Sequence, residues 1–229
     1  MKKKYILYPY LGIHIILYLF LYVVQMFSYE AELAIDYGII VSCFLMTLLF
    51  LGMEKKVSSL LLSIAFFFTL LSDTIFLWLD DGYEWAILSF ICVQFTYFIY
   101  ILYIGHPQKN WKKHIYGRLG IMIPLCILYF ILDEPNRLFI CLVIFYIIEL
   151  LWNVIFSLST KNKFLSIGLI LFLLCDCFVG CMNISDFFPD LSCDFFDSIA
   201  QSTINFSWLF YHPSQVLLCL SNQHFSTKR

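Results

Sequence analysis

The chain has 229 residues, of which 62% are hydrophobic and 13% charged, with a formal net charge of −2. A soluble domain carries about 45–50% apolar and about 25% charged residues, and a globule of this size has too much surface for so few charges to cover. A soluble enzyme, a disordered chain and a nucleic-acid binder are excluded, the last also because phosphate binding needs a basic surplus; what remains is an all-α polytopic membrane protein.

A spanning helix needs about 20 mostly apolar residues. In chain order eight stretches qualify: Tyr5–Phe27, Ala34–Met53, Val57–Leu79, Trp85–Gly105, Ile115–Leu132, Leu138–Leu158, Phe164–Met182 and Thr203–Leu220. Their length and lack of period-two alternation predict helices rather than barrel strands. Lys2, Lys3 and Lys4 precede the first run as in a signal peptide. That run is too long for a signal h-region and no small-x-small site follows, so it is expected to be retained. Eight spans leave no room for a soluble domain, and residues 1–229 form one transmembrane domain.

The charges alternate along the chain. Lys2–Lys4, Lys55, Lys56, Lys109, Lys112, Lys113, Arg118, Lys161, Lys163, Lys228 and Arg229 fall in every second connection or terminus, which is 13 of the 14 basic residues; Arg137 is the exception. The positive-inside rule then puts both termini in the cytoplasm. The longest connection, Asn183 to Ser202, falls outside and carries Asp-Phe-Phe twice, at Asp186–Phe188 and Asp194–Phe196. Such aromatics beside acids suit an interfacial belt or a lid over an entrance.

An internal repeat emerges at an offset of 103 residues. Ser63-Ile64-Ala65 answers Ser166-Ile167-Gly168, and Leu70-Leu71-Ser72-Asp73 answers Leu173-Leu174-Cys175-Asp176. In the following helix of each half, Phe90-x-x-x-Gln94 answers Tyr211-x-x-x-Gln215. Halves 1–105 and 115–221 would each hold four helices entering in the same sense, a parallel 4+4 repeat.

Three acids are read as intramembrane: Asp73, Glu149 and Asp176. Such groups cost at least a few kcal/mol at the bilayer centre and mark a functional site by default; the bland alternative is a polar clamp between helices. At about 1.5 Å per residue, Asp73 and Asp176 lie roughly 10–13 Å below the outer helix ends, Gln94 and His212 roughly 14–15 Å, and Glu149 roughly 18 Å, in one layer. Phe90, Gln94 and Tyr97 share one helix face; so do Tyr146, Glu149 and Asn153, and so do Asn205, Trp208, His212 and Gln215, with Tyr211 beside them. These faces are candidates to line one cavity. No metal or cofactor is expected, since Cys175 and Cys177 are two apart on a helix and do not share a face. Cys193 has no evident disulfide partner. His106 and His114 flank a basic loop, Lys109-Asn110-Trp111-Lys112-Lys113, that suits anionic lipid.

These residues resemble the YhhN family, the lysoplasmalogenase-like membrane proteins, from roughly the third helix to the eighth. The resemblance rests on the order of Asp73, Phe90-x-x-x-Gln94-x-x-Tyr97, then Gly168, Phe172 and Asp176, and finally Tyr211-x-x-x-Gln215. The chain departs from the pattern at Ser72, at Cys175 and at Gln94, where the family has histidine; glutamine does not change protonation near neutral pH. The resemblance implies hydrolysis of a lysoplasmalogen vinyl ether, with Asp73 and Asp176 as catalytic acid and base. Gln94, Tyr97, Glu149, Asn153, Tyr211, His212 and Gln215 are then expected to line the substrate site, and the partner is a membrane lipid or lysolipid. A proton-coupled or lipid transporter and a non-catalytic membrane scaffold are the alternatives.

Overall fold

A computed structural model describes residues 2–25, 29–79, 82–105, 111–132, 137–187, 195, 198–199, 202 and 205–222. Among the described residues the regular structure is all helical. The helices are α1 (Lys2–Gln25), α2 (Tyr29–Glu54), α3 (Val57–Thr74) continued by a π-helical segment (Ile75–Leu79), α4 (Tyr83–Ile104), α5 (Trp111–Ile131), α6 (Arg137–Leu158), α7 (Lys163–Phe187) and α8 (Phe206–Leu220). Each of the eight predicted stretches holds one helix. The first Asp-Phe-Phe triplet begins inside α7; residues 188–194, with Cys193 and most of the second triplet, and the His106–Asn110 loop lie outside the described residues.

Five segments are long and apolar enough to cross a bilayer: Ala31–Glu54, Val57–Leu79, Tyr83–Ile104, Arg137–Leu158 and Lys163–Asn183. Shorter apolar stretches, Tyr5–Leu21 and Ile115–Ile131, lie in α1 and α5. Large apolar side chains face outward, with Phe130 80% and Ile131 72% exposed. Water would not tolerate that exterior and lipid does, so the chain is a multi-pass membrane protein.

Local chemistry explains the breaks. Between α2 and α3, Lys55 takes a left-handed φ of 50°, and its N–H bonds the Leu51 carbonyl at 2.8 Å. This left-handed C-terminal turn reverses the chain in two residues. Gly82, with φ 71°, starts α4 in the same region, where a side chain is strained. Asn205 caps α8 by accepting from the Ser207 N–H at 3.2 Å. The third predicted span is not one α-helix: its last five residues are wound as π-helix, immediately after Asp73 and Thr74. Pro213 lies inside α8, and its missing N–H leaves the Leu209 carbonyl without its helical donor. The Tyr18 hydroxyl of α1 donates to that carbonyl at 3.1 Å.

Helix packing follows a regular scheme. α1 packs on α2, α2 on α3 and α3 on α4; α5 packs on α6, α6 on α7 and α7 on α8. Two further contacts cross between these groups, α4 with α6 and α2 with α8. In lipid, association relies on close packing rather than on water exclusion, so small residues matter at crossings. Gly168 sits at the α7–α8 crossing, where an added Cβ would meet Leu218 Cγ at 2.8 Å and the Leu218 backbone nitrogen at 3.2 Å. Ser214 secures the same crossing by donating to the Gly168 carbonyl at 2.8 Å. Tyr97, Tyr100, Phe66, Leu165, Leu169 and Phe172 fill the centre.

Candidate functional site

Asp73 at the end of α3 and Asp176 in α7 come together. The Tyr211 hydroxyl of α8 donates to Asp73 Oδ2 at 2.6 Å, and the Tyr146 hydroxyl of α6 donates to Asp176 Oδ2 at 2.5 Å. The two carboxyls lie within electrostatic range of each other. A row of rings joins the two tyrosines: Tyr146 to Phe90 at 5.6 Å, Phe90 to Phe172 at 5.8 Å, and Phe172 to Tyr211 at 5.6 Å between centroids. Each tyrosine occupies Oδ2 and leaves Oδ1 of its aspartate for other chemistry. Among the described residues, no lysine or arginine pairs with either carboxyl.

A fourth intramembrane acid joins this group. Asp36 of α2 is 1% exposed, its Oδ1 has no hydrogen-bond partner, and it lies within electrostatic range of Asp73 and of Glu32. Sequence reasoning missed it because it falls two residues inside a predicted span, where acids ordinarily belong to the interface. The signal was its spacing of one helical turn from Glu32.

Gln94, Glu149 and Asn153 belong to a second network. Asn153 Nδ2 donates to the Gln94 carbonyl at 2.8 Å and to Gln94 Oε1 at 3.0 Å. Arg118 Nη2 donates to Asn153 Oδ1 at 2.8 Å, and its guanidinium pairs with Glu149. The Phe98 ring lies 4.0 Å below the Arg118 carbon Cζ, a cation–π contact. Arg118, grouped by sequence with a basic connection, is instead buried and neutralises Glu149. Asn153 and Glu149 are one turn apart on α6, which is why one arginine reaches both.

His212 belongs to a third group. Its Nε2 lies 2.9 Å from His14 Nδ1, and His14 Nε2 lies 2.9 Å from Ser42 Oγ. Both histidines are buried. The single predicted polar layer is therefore three separately bonded clusters. His14 was missed because a lone histidine in an apolar run carries no periodic signal.

Tyr97 and Gln215 are fully buried. The Tyr97 hydroxyl, both amide atoms of Gln215 and Gln94 Nε2 lack hydrogen-bond partners among the described residues. Above them Phe172 bridges Phe90 and Tyr211, and below them Ser221 donates to the Tyr100 hydroxyl at 3.3 Å. These bracketing contacts put Gln94 and Gln215 at matching levels of α4 and α8. Unpaired buried amides mark polar space that water or a ligand fills.

No family model matches the chain, and no curated protein or solved structure matches it either.

Proposed function

We propose that the chain is an intramembrane lipid hydrolase that cleaves the vinyl ether of a lysoplasmalogen to a fatty aldehyde and a glycerophospho-base. The observation that carries this reading is the pair Asp73 and Asp176, each held by a tyrosine hydroxyl and within electrostatic range of the other. The motif order that resembles the YhhN family adds support. One aspartic acid gives its proton to the β-carbon of the vinyl group, forming an oxocarbenium ion. Water adds to that ion and loses its proton to the second, ionised aspartate, much as paired carboxyls act in glycoside hydrolysis. The resulting hemiacetal collapses to aldehyde and alcohol. Gln94, Tyr97 and Gln215, with their unpaired atoms, supply hydrogen bonds for the attacking water or the ether oxygen. Purified protein incubated with a lysoplasmalogen, with trapping of released aldehyde, tests the reading; a folded preparation that releases none rejects it.

The arrangement in the membrane belongs to the same proposal: eight spans, both termini cytoplasmic and a parallel 4+4 repeat. The packing scheme supports the repeat, because exchanging α1–α4 with α5–α8 maps every principal helix contact onto another. So does burial. Along α3 the buried positions are Ser58, Ser59, Leu62, Ser63, Ala65, Phe66, Thr69, Ser72 and Asp73; 103 residues later Asn162, just before α7, and Leu165, Ser166, Gly168, Leu169, Phe172 and Cys175 within it are buried too, while Lys161 is exposed and Asp176 half-buried.

A proton-coupled transporter is the second reading. Asp36 favours it: Glu32, Asp36, Asp73 and Asp176 form a succession of acids from one end of α2 into the bundle, and such successions line proton paths in pumps. Proton-dependent uptake by liposomes, without aldehyde release, distinguishes it.

A further inference from the structure

The turn between α6 and α7 is tied down from within. Thr160 Oγ1 and Ser166 Oγ both donate to the Ser157 carbonyl, at 2.7 and 2.9 Å. Asn162 is fully buried; its Nδ2 donates to the Ser221 carbonyl at 2.8 Å, and its Oδ1 accepts from the Leu165 N–H at 3.3 Å. With Asn162 fixed inward, its two neighbours Lys161 and Lys163 are both exposed. Two ammonium groups are therefore presented from one short turn whose backbone is anchored to α6, α7 and the end of α8.

The two lysines belong to a groove of about 480 Å³ that continues along Ser166, Ile167 and Ile170 of α7, with Leu158 and Thr160 as its other lining. That volume falls within the roughly 300–1,000 Å³ of small-ligand sites. Lys163, Ile167 and Ile170 follow at i, i+4 and i+7, so they share one face of α7, and the lining passes from charged to apolar over about 10 Å. The apolar part is open to the bilayer, with Leu158 60% and Ile167 48% exposed. The Thr160 and Ser166 hydroxyl protons are already committed to a backbone carbonyl. The donors left among the lining side chains are the two ammonium groups, with three protons each, and among the described residues no carboxylate pairs with either. Two cations above an apolar wall match a ligand with an anionic head and a hydrocarbon body. A zwitterionic choline headgroup brings its own cation and gains less from two lysines.

We infer that the α6–α7 groove binds one anionic glycerophospholipid, with its phosphate at Lys161 and Lys163 and an acyl chain along Ile167 and Ile170. The groove lies at the opposite end of α7 from Asp176, roughly 20 Å away at about 1.5 Å per residue. This lipid is therefore distinct from the substrate of the proposed hydrolase, and the inference does not rest on that reading.

Native mass spectrometry of the full chain in detergent, titrated with dioleoyl phosphatidylglycerol or with dioleoyl phosphatidylcholine, tests the site. The first lipid is expected to add one copy at least about tenfold more tightly than the second. A lysine beside anionic lipid contributes about a fivefold factor, so Lys161→Gln combined with Lys163→Gln should weaken phosphatidylglycerol binding by about tenfold or more. Lys55→Gln combined with Lys56→Gln removes the same charge from the α2–α3 turn and should leave that binding unchanged. Ile167→Trp fills the groove, keeps both lysines and should weaken it. All these positions are exposed, so the lipid-free variants should melt with the wild type. Equal affinity of the wild type for the two lipids overturns the site, and so does unaltered binding by Ile167→Trp. A loss in the Lys55, Lys56 variant as large as in the Lys161, Lys163 variant overturns it too, by reducing the effect to general surface charge.

Discussion

Arg118 of α5 and Glu149 of α6 form an ion pair whose side chains are 6% and 0% exposed. Breaking such a pair leaves a lone buried charge, which costs about 3–5 kcal/mol, whereas replacing both partners with apolar residues is often neutral or better. Glu149→Leu is therefore expected to lower the melting temperature in detergent sharply, and Arg118→Met combined with Glu149→Leu to recover most of it. If Glu149→Leu melts like the wild type yet releases no aldehyde, Glu149 serves substrate rather than structure.

The tyrosine hydroxyls make a separate prediction. Tyr146→Phe and Tyr211→Phe each delete one bond to an aspartate and keep the ring contacts. A hydrogen bond to a charged group contributes about 1.5–3 kcal/mol, so aldehyde release should drop about tenfold or more in each. Asp73→Asn and Asp176→Asn should abolish it, and the double variant should be hardly worse than either, as for groups acting as a unit. Full release by a well-folded double variant would remove both aspartates from the mechanism.

Gln94→His moves the chain towards the YhhN pattern and should retain or raise activity. Gln94→Leu loses the side-chain bond from Asn153. If Gln94 orients water, Gln94→Leu loses turnover with little change in melting; if it only clamps α4 to α6, melting falls and the turnover of the folded fraction is kept.

Two glycines should behave oppositely. Gly168→Ala forces a Cβ against Leu218 Cγ and the Leu218 backbone nitrogen, and overpacking of this kind costs about 1–3 kcal/mol. Gly38, with nothing within 4 Å of an added Cβ, should tolerate alanine and gain up to about 1 kcal/mol from helix propensity. Thermal melts of the two variants side by side check the contrast.

Membrane topology is tested by labelling. A cysteine at Asp190 should react with an impermeant thiol reagent in intact cells; reaction only after permeabilisation would reverse the proposed orientation.

Helix positions were legible in the sequence because long apolar runs in lipid have few alternatives, and the aspartate pair because charged residues there are rare. The partners were not. Arg118 reads as a flank of a basic connection, since a long side chain near a helix start ordinarily reaches towards headgroups; only the fold brings Glu149 and Asn153 beside it. Periodicity found the face of Tyr146, Glu149 and Asn153, but not that Tyr146 serves Asp176 while the other two serve Arg118. The π-helical winding after Thr74 is equally silent in Ile75-Phe76-Leu77-Trp78-Leu79, a sequence any α-helix would accept.

Pro213 has a consequence for how the chain is made. The carbonyl it frees on Leu209 is the acceptor for Tyr18, 191 positions earlier, so α1 obtains this anchor only when α8, made later, has been inserted. Until then α1 packs on α2 without this tie to Leu209. Truncation before α8 would therefore show itself far away in α1, as a helix without its mooring, and cellular quality control would meet the damage there.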